Sequence, residues 1–136
     1  MIINSKLDTI KNRNVAFVIN NCEHCAILKA TLDNFNINLP LKDKITIINC
    51  TRYHDLGIID HPLIKEYAKA LQGVYPSLFI GHQVIRGANT VEELKVFLSV
   101  LMQDKMILAP DVYDYTFNKQ CQVRKGFLGR KRIICK

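Results

Sequence analysis

Apolar and polar positions follow one another along the chain in blocks that predict a mixed α/β protein. Residues 15–19 and 45–48 are short, uninterrupted apolar runs, typical of strands that are buried on both faces. Between them, apolar residues recur every three or four positions, which predicts a helix from residue 22 to about residue 35. Residues 5–12 have weaker helical spacing and predict a short leading helix.

The same alternation continues through the second half of the chain. Residues 51–60 show little periodicity and are predicted to be a connection. Residues 62–71 have a helical apolar face that begins at Pro62 and closes at Gly73. Residues 77–80 and 84–85 predict a β-hairpin that turns at 81–83. Thr90 and Glu93 have the spacing of a capping box, which predicts a final helix from residue 91 to about 103.

The predicted order is therefore β-α-β-α-β-β-α. It indicates an α/β domain over residues 1–103, with a mixed four-stranded sheet and helices on both of its faces. Residues 104–136 form a C-terminal extension with further apolar positions at Tyr113, Tyr115 and Phe117.

Charge separates this extension from the rest of the chain. The net charge is +7, yet all 12 acidic residues precede residue 118, and the positive excess lies entirely in residues 118–136. Such a basic tail is attracted to an acidic protein, a nucleic acid or an anionic membrane surface. A solvated extension without a partner is the alternative.

Length and cysteine usage limit the class of protein. No apolar run approaches the roughly 20 residues that span a bilayer, and the first residues do not resemble a signal peptide. Five cysteines form an odd number without the pattern of a disulfide framework. We therefore expect a cytoplasmic protein with no transmembrane segment.

The candidate chemistry lies at Cys22-Glu23-His24-Cys25, where the first strand gives way to the first helix. Two cysteines at this spacing suit a redox dithiol, and the helix N-terminus favours a thiolate on the first of them. The spacing alone leaves open the alternative that the pair is half of a zinc site.

A second segment decides between these alternatives. Residues 74–87 read Val-Tyr-Pro-Ser-Leu-Phe-Ile-Gly-His-Gln-Val-Ile-Arg-Gly. This resembles the glutaredoxin segment Thr-Val-Pro-x-x-Phe-Ile-Gly-x-x-x-Ile-Gly-Gly, which leads into a capped final helix. Together with the upstream dithiol, residues 13–103 resemble the glutaredoxin branch of the thioredoxin superfamily.

The resemblance implies a thioredoxin fold and a set of roles. Cys22 is the expected nucleophile and Cys25 the resolving thiol. Tyr75–Pro76 is expected to be a cis peptide bond beside the dithiol, and the Tyr75 main chain to pair with the cysteinyl part of glutathione. Gly87 and Ala88, which lead into the final helix, are expected to bind a glutathione carboxylate. Arg86 is either a charge partner at that site or an exposed residue at the end of a strand. No bound cofactor and no metal are expected, with glutathione as reductant or co-substrate.

The two residues between the cysteines depart from the glutaredoxin Pro-Tyr. His24 matches the histidine of strongly oxidising periplasmic relatives with Cys-Pro-His-Cys, and a protonated imidazole there would lower the pKa of the Cys22 thiol. Glu23 would oppose this effect if it pointed toward the sulfur. The alternative is that both are solvated residues of the first helical turn.

Two functions follow from these observations. The first is a glutaredoxin-like thiol–disulfide oxidoreductase that acts on glutathione or protein disulfides. The second is a non-catalytic thioredoxin-fold adaptor that binds an acidic protein or a nucleic acid through its basic tail. Cys50 is interpreted as a buried structural thiol. Cys121 and Cys135 are candidates for electron exchange with the core dithiol.

Overall fold

A computed structural model of the protein describes residues 14–37, 45–80, 83–106, 113–125 and 131–136. The helices are α1 (Glu23–Ile37), α2 (Thr51–Leu56), α3 (Pro62–Leu71) and α4 (Val91–Met106). The strands are β1 (Asn14–Val18), β2 (Thr46–Asn49), β3 (Val74–Tyr75), β4 (Ser77–Ile80), β5 (Gln83–Arg86), β6 (Tyr113–Thr116), β7 (Cys121–Lys125) and β8 (Lys131–Cys135). The predicted leading helix at residues 5–12 lies outside the described residues, as do residues 81–82 of the turn predicted at 81–83. The third residue of that predicted turn, Gln83, belongs to β5.

The central sheet has the strand order β2-β1-β4-β5-β6. β1 runs parallel to β2 and antiparallel to β4, β4 and β5 are antiparallel, and β6 runs parallel to β5. The sheet has five strands where four were predicted, because β6, from the C-terminal extension, pairs with the outer edge of β5. The element order and the mixed sheet agree with the predicted thioredoxin-like fold. The division of the chain at residue 103 stays a prediction.

Both faces of the central strands are covered. All five residues of β1 are buried, as expected of a strand between two layers of helices. From α3, the Tyr67 ring packs on Phe17 and Phe79, with centroid distances of 5.2 and 4.5 Å. α1 and α4 contact each other, and α4 also contacts β4. The apolar spacing of these helices therefore reflects the faces that they bury.

Local capping explains where two of the helices begin. His61 is the N-cap of α3, and its Nδ1 accepts a hydrogen bond from the Leu63 N–H at 3.1 Å. Thr90 Oγ1 accepts from the Glu93 N–H at 3.1 Å, as the predicted capping box requires. α2 lies in the segment that was predicted to be a connection. The helix was not predicted because its six residues are too few to show a periodic pattern.

Two further strands of the extension, β7 and β8, form a second sheet with β3, in the strand order β3-β7-β8. β7 is antiparallel to both neighbours, with Cys121 opposite Tyr75 on one side and opposite Cys135 on the other. The extension thus adds strands to both sheets. In this second sheet it pairs with the short strand that precedes Pro76.

Candidate redox site

The first element of the site is the start of α1, where Cys22 takes the position of an N-cap. Its main-chain oxygen accepts from the Ala26 N–H at 3.2 Å, and its Sγ accepts from the Cys25 N–H at 3.2 Å. Cys22 and Cys25 form a disulfide, with Cα atoms 5.2 Å apart. When the disulfide is reduced, the same N–H and the helix N-terminus stabilise negative charge on the Cys22 sulfur.

The loop before Cys22 is held by the side chains of Asn49, at the end of β2, and Thr51, at the start of α2. The Asn20 N–H donates to Thr51 Oγ1 at 2.8 Å, and Asn49 Nδ2 donates to Asn20 Oδ1 at 2.8 Å. Asn21 has a positive φ of 56°, a backbone conformation that asparagine tolerates better than most residues. The loop therefore has a defined path from β1 to the first cysteine.

The start of β4 lies at the same end of the sheet as this loop. Phe17 near the end of β1 faces Ser77 at the start of β4, so Cys22 and Pro76 both extend from that end. The Tyr75–Pro76 peptide bond is cis, as the resemblance implied. The Pro76 oxygen accepts from the Gly87 N–H at 2.7 Å, which ties the predicted glutathione segment to the cis bond.

The main-chain groups that were predicted to hold glutathione already have partners within the chain. Tyr75 is paired with Cys121 of β7, and the Ala88 N–H donates to the Lys119 oxygen at 2.9 Å. Asn89 Oδ1 accepts from the Lys119 N–H at 2.9 Å. The segment just before β7 therefore lies along the predicted glutathione site. The roles predicted for Tyr75, Pro76, Gly87 and Ala88 stay predictions.

Gly87 lies against the main chain of this segment. Its φ is +83°, and a Cβ there would lie 2.6 Å from the Lys119 oxygen. We expect Gly87→Ala to lower the free energy of unfolding by about 2 kcal/mol more than Gly57→Ala. Gly57 is the matched control, because its φ is +70° but a Cβ there meets nothing within 4 Å. Urea denaturation of both variants measures the difference, and equal losses would contradict this close approach.

His24 contacts the end of the C-terminal extension. It is buried, so the alternative of a solvated side chain is wrong for His24, whereas Glu23 is exposed. Its Nε2–H donates to the main-chain oxygen of Lys136 at 2.8 Å, and its Nδ1 is buried without a hydrogen-bond partner. His24 thus joins the dithiol motif to the basic extension. Its predicted effect on the Cys22 thiol stays a prediction, as does that of Glu23.

Arg86 was predicted to be either a charge partner for glutathione or an exposed residue at a strand end. It is buried, and its guanidinium donates to the oxygens of Ala70 and Leu71 at 2.6 and 3.1 Å and to the Asp114 carboxylate at 3.2 Å. The side chain therefore satisfies carbonyls at the C-terminal end of α3 and joins them to β6. The prediction of an exposed Arg86 is wrong.

Cys50 is buried beside the Tyr75 side chain. Burial raises the pKa of the Cys50 thiol to about 11, although a hydrogen bond to Tyr75 acts to lower it. Burial, and then the neighbouring Cys50, raise the pKa of the Tyr75 phenol well above its usual value. The Tyr75 hydroxyl also lies 2.5 Å from His54 Nε2. Cys50 is thus a protonated, buried thiol near neutral pH, and a poor nucleophile.

Cys121 and Cys135 form a second disulfide that was not predicted from the sequence. The two-residue alternation of Tyr113, Tyr115 and Phe117 is typical of a strand and coincides with β6. It does not indicate which residue either Cys121 or Cys135 bonds to. Among the residues that the structure describes, no group of three or more His, Cys, Asp or Glu side chains is arranged to hold a metal ion.

An open depression lies beside the dithiol. Its lining includes Asn20, Asn21 and Ala26 as well as both cysteines, and the exposed Lys29 stands at its rim. It leaves a route to the Cys22 sulfur that avoids the Tyr75 edge covered by β7.

The topology and the site together define a mixed α/β protein of thioredoxin-like fold with a disulfide at the start of its first described helix. No protein-family model matches the chain, and no curated protein sequence matches it. Comparison with solved structures finds similarity to the crystal structure of human ERp44, with a TM-score of 0.43 and 13% identity. The match covers 98% of this chain and 51% of that one, so the chain spans about half the length of that structure. The fold assignment rests on the strand order and the element order described above.

Proposed function

We infer that the protein is a thiol–disulfide oxidoreductase in which Cys22 attacks and Cys25 resolves. The observation that carries this inference is the Cys22–Cys25 disulfide at the N-terminus of α1, with the Cys25 N–H directed at the Cys22 sulfur. A Cys22 thiolate attacks a substrate disulfide, forms a mixed disulfide and releases one substrate thiol. Cys25 then attacks the Cys22 sulfur, which releases the second substrate thiol and restores the Cys22–Cys25 disulfide.

The substrate class we propose is glutathione or protein disulfides, with glutathione as reductant or co-substrate rather than as a bound cofactor. The resemblance to glutaredoxins supports glutathione. The depression lined by Asn20, Asn21 and Ala26 supports a second route, by which a protein disulfide reaches Cys22 while β7 covers Tyr75.

A cytoplasmic location stays a prediction. Within the described ranges, no helix combines the length and apolar character needed to cross a membrane.

The experiment that tests the proposal compares two substrates with the wild-type chain. Insulin reports on protein disulfides, and a peptide carrying glutathione as a mixed disulfide reports on glutathione chemistry. We expect the protein to accelerate insulin reduction by a dithiol reductant. Acceleration of the glutathionylated peptide by reduced glutathione would add the glutaredoxin-like specificity. Rates equal to those of the reductants alone, for both substrates, would contradict the proposed function.

The adaptor hypothesis is the second candidate, and the exposure of Lys119, Arg124, Arg132 and Lys136 favours it. These cations all lie in the extension, where they are available to an acidic partner. Because exposed charges are screened by salt, such binding weakens as ionic strength rises. The adaptor hypothesis would be favoured if the chain binds an acidic protein or a nucleic acid in this way and reduces neither test substrate.

A further inference from the structure

Main-chain contacts connect the second disulfide to the segments around the first. Cys121 is opposite Tyr75, the residue before the cis proline. Cys135 is followed by Lys136, whose main-chain oxygen accepts from His24, between the two cysteines of the motif. The Lys136 N–H also donates to the Gln120 oxygen at 2.9 Å. The Cys121 end of the bridge therefore lies beside Tyr75, and the Cys135 end is one residue from the contact with His24.

Burial distinguishes the two sulfurs of this bridge. Cys121 is fully buried and belongs to the same apolar cluster as Cys22 and Cys25, whereas Cys135 is exposed. A thiolate that leaves from Cys135 is hydrated, while one that leaves from Cys121 is not. Exchange at this bridge is therefore favoured when the attacked sulfur is that of Cys121 and the leaving sulfur that of Cys135.

We propose that Cys121–Cys135 is a second redox centre that exchanges electrons directly with Cys22–Cys25. The proposal rests on the proposed function, since it needs a thiol reductant that reduces Cys22–Cys25. The Cys22 thiolate attacks the Cys121 sulfur, the Cys121–Cys135 bond breaks, and Cys135 leaves as a thiolate and takes a proton from water. Cys25 then attacks the Cys22 sulfur and releases Cys121 as a thiol. Two electrons and two protons pass from the core pair to the extension pair.

A purely structural bridge would behave differently. The β7–β8 pair is already held by antiparallel pairing along its length, from Cys121 opposite Cys135 to Lys125 opposite Lys131. A structural bridge would only reinforce this pairing. It would be reduced by external reductant at a rate that does not depend on Cys22.

The first test traps the intermediate in the full-length Cys25→Ser variant, which lacks the resolving thiol. Free thiols are blocked with an alkylating agent in acid, and the disulfides are mapped by mass spectrometry without reduction. We expect a Cys22–Cys121 linkage that disappears in Cys25→Ser/Cys121→Ser. The same linkage is expected in Cys25→Ser/Cys50→Ser, the control for random exchange. A free Cys22 beside an intact Cys121–Cys135 bridge would overturn the proposal.

The second test follows reduction of the Cys121–Cys135 bridge by a limiting dithiol in wild type and in Cys22→Ser. We expect the bridge to be reduced at least about tenfold more slowly in Cys22→Ser, because the internal route is lost. Equal rates would overturn the proposal. Insulin reduction by the same wild-type preparation keeps the two inferences separate. Normal insulin reduction without the linkage contradicts only the second redox centre, whereas the absence of acceleration with both insulin and the glutathionylated peptide contradicts the proposed function.

Discussion

Replacement of Cys22 by serine is expected to lower the rate of insulin reduction by about two orders of magnitude or more. A serine hydroxyl is not ionised near neutral pH, so no nucleophile remains at the N-terminus of α1 to receive the Cys25 N–H. Cys25→Ser is expected to behave differently, because Cys22 still attacks and the mixed disulfide then accumulates. Turnover of insulin and the mass of the trapped species measure the two steps separately.

Cys50→Ala is the matched control for this prediction. Its thiol is buried, has a pKa of about 11 and is not part of either disulfide. The Tyr75 hydroxyl keeps its contact with His54 in that variant. We therefore expect Cys50→Ala to retain most of the wild-type rate. Turnover by Cys22→Ser at the wild-type rate, with loss of turnover in Cys25→Ser, would show that the two cysteines have the opposite roles.

Arg86→Met is expected to lower the free energy of unfolding by about 3 kcal/mol. The methionine keeps much of the apolar stem but removes every donor. The oxygens of Ala70 and Leu71 then lose their partner, and the Asp114 carboxylate loses its ion pair. The loss is moderated at Asp114, whose side chain is 47% exposed and can be hydrated. Urea denaturation with both disulfides oxidised gives the change directly.

Arg52→Met is the matched control, because it removes an arginine whose ion pair lies at the surface. Arg52 is 63% exposed and 3.5 Å from the Asp60 carboxylate. Exposed pairs of this kind contribute at most about 1 kcal/mol. A loss in Arg86→Met no larger than that in Arg52→Met would mean that water replaces the buried hydrogen bonds. It would contradict the role assigned to Arg86 as the link between α3 and β6.

The elements of the core could be predicted because each carries its own local pattern. β1 is apolar throughout and lies between two layers, and α3 starts at a proline and has a regular apolar face. Thr90 and Glu93 carry the capping signal of α4 in their own side chains. The dithiol and the segment around Pro76 could likewise be recognised, because each is a short run of neighbouring residues. Periodicity did not reveal α2, whose six residues are too short to repeat.

The partners of the extension could not be predicted in the same way. β6 joins β5, and β7 joins β3, through main-chain N–H and C=O groups that almost every residue has. No side-chain pattern states which free edge a given strand will meet. Arg86 is buried partly because β6 places Asp114 beside it, a contact between residues 28 positions apart. Nothing in the sequence indicated this contact, and a charged residue at the end of a strand is usually exposed.

Local sequence patterns were enough to predict the α/β order, the Cys22–Cys25 dithiol at the start of a helix and the Tyr75–Pro76 segment later in the chain. These depend on neighbouring residues, whose side chains express spacing, capping and turn preferences directly. The pairing of β7 with Tyr75, the bridge between Cys121 and Cys135 and the hydrogen bond between His24 and Lys136 became known only from the folded chain. Each of these joins residues far apart in the chain through backbone pairing or burial, so each depends on how the whole chain packs.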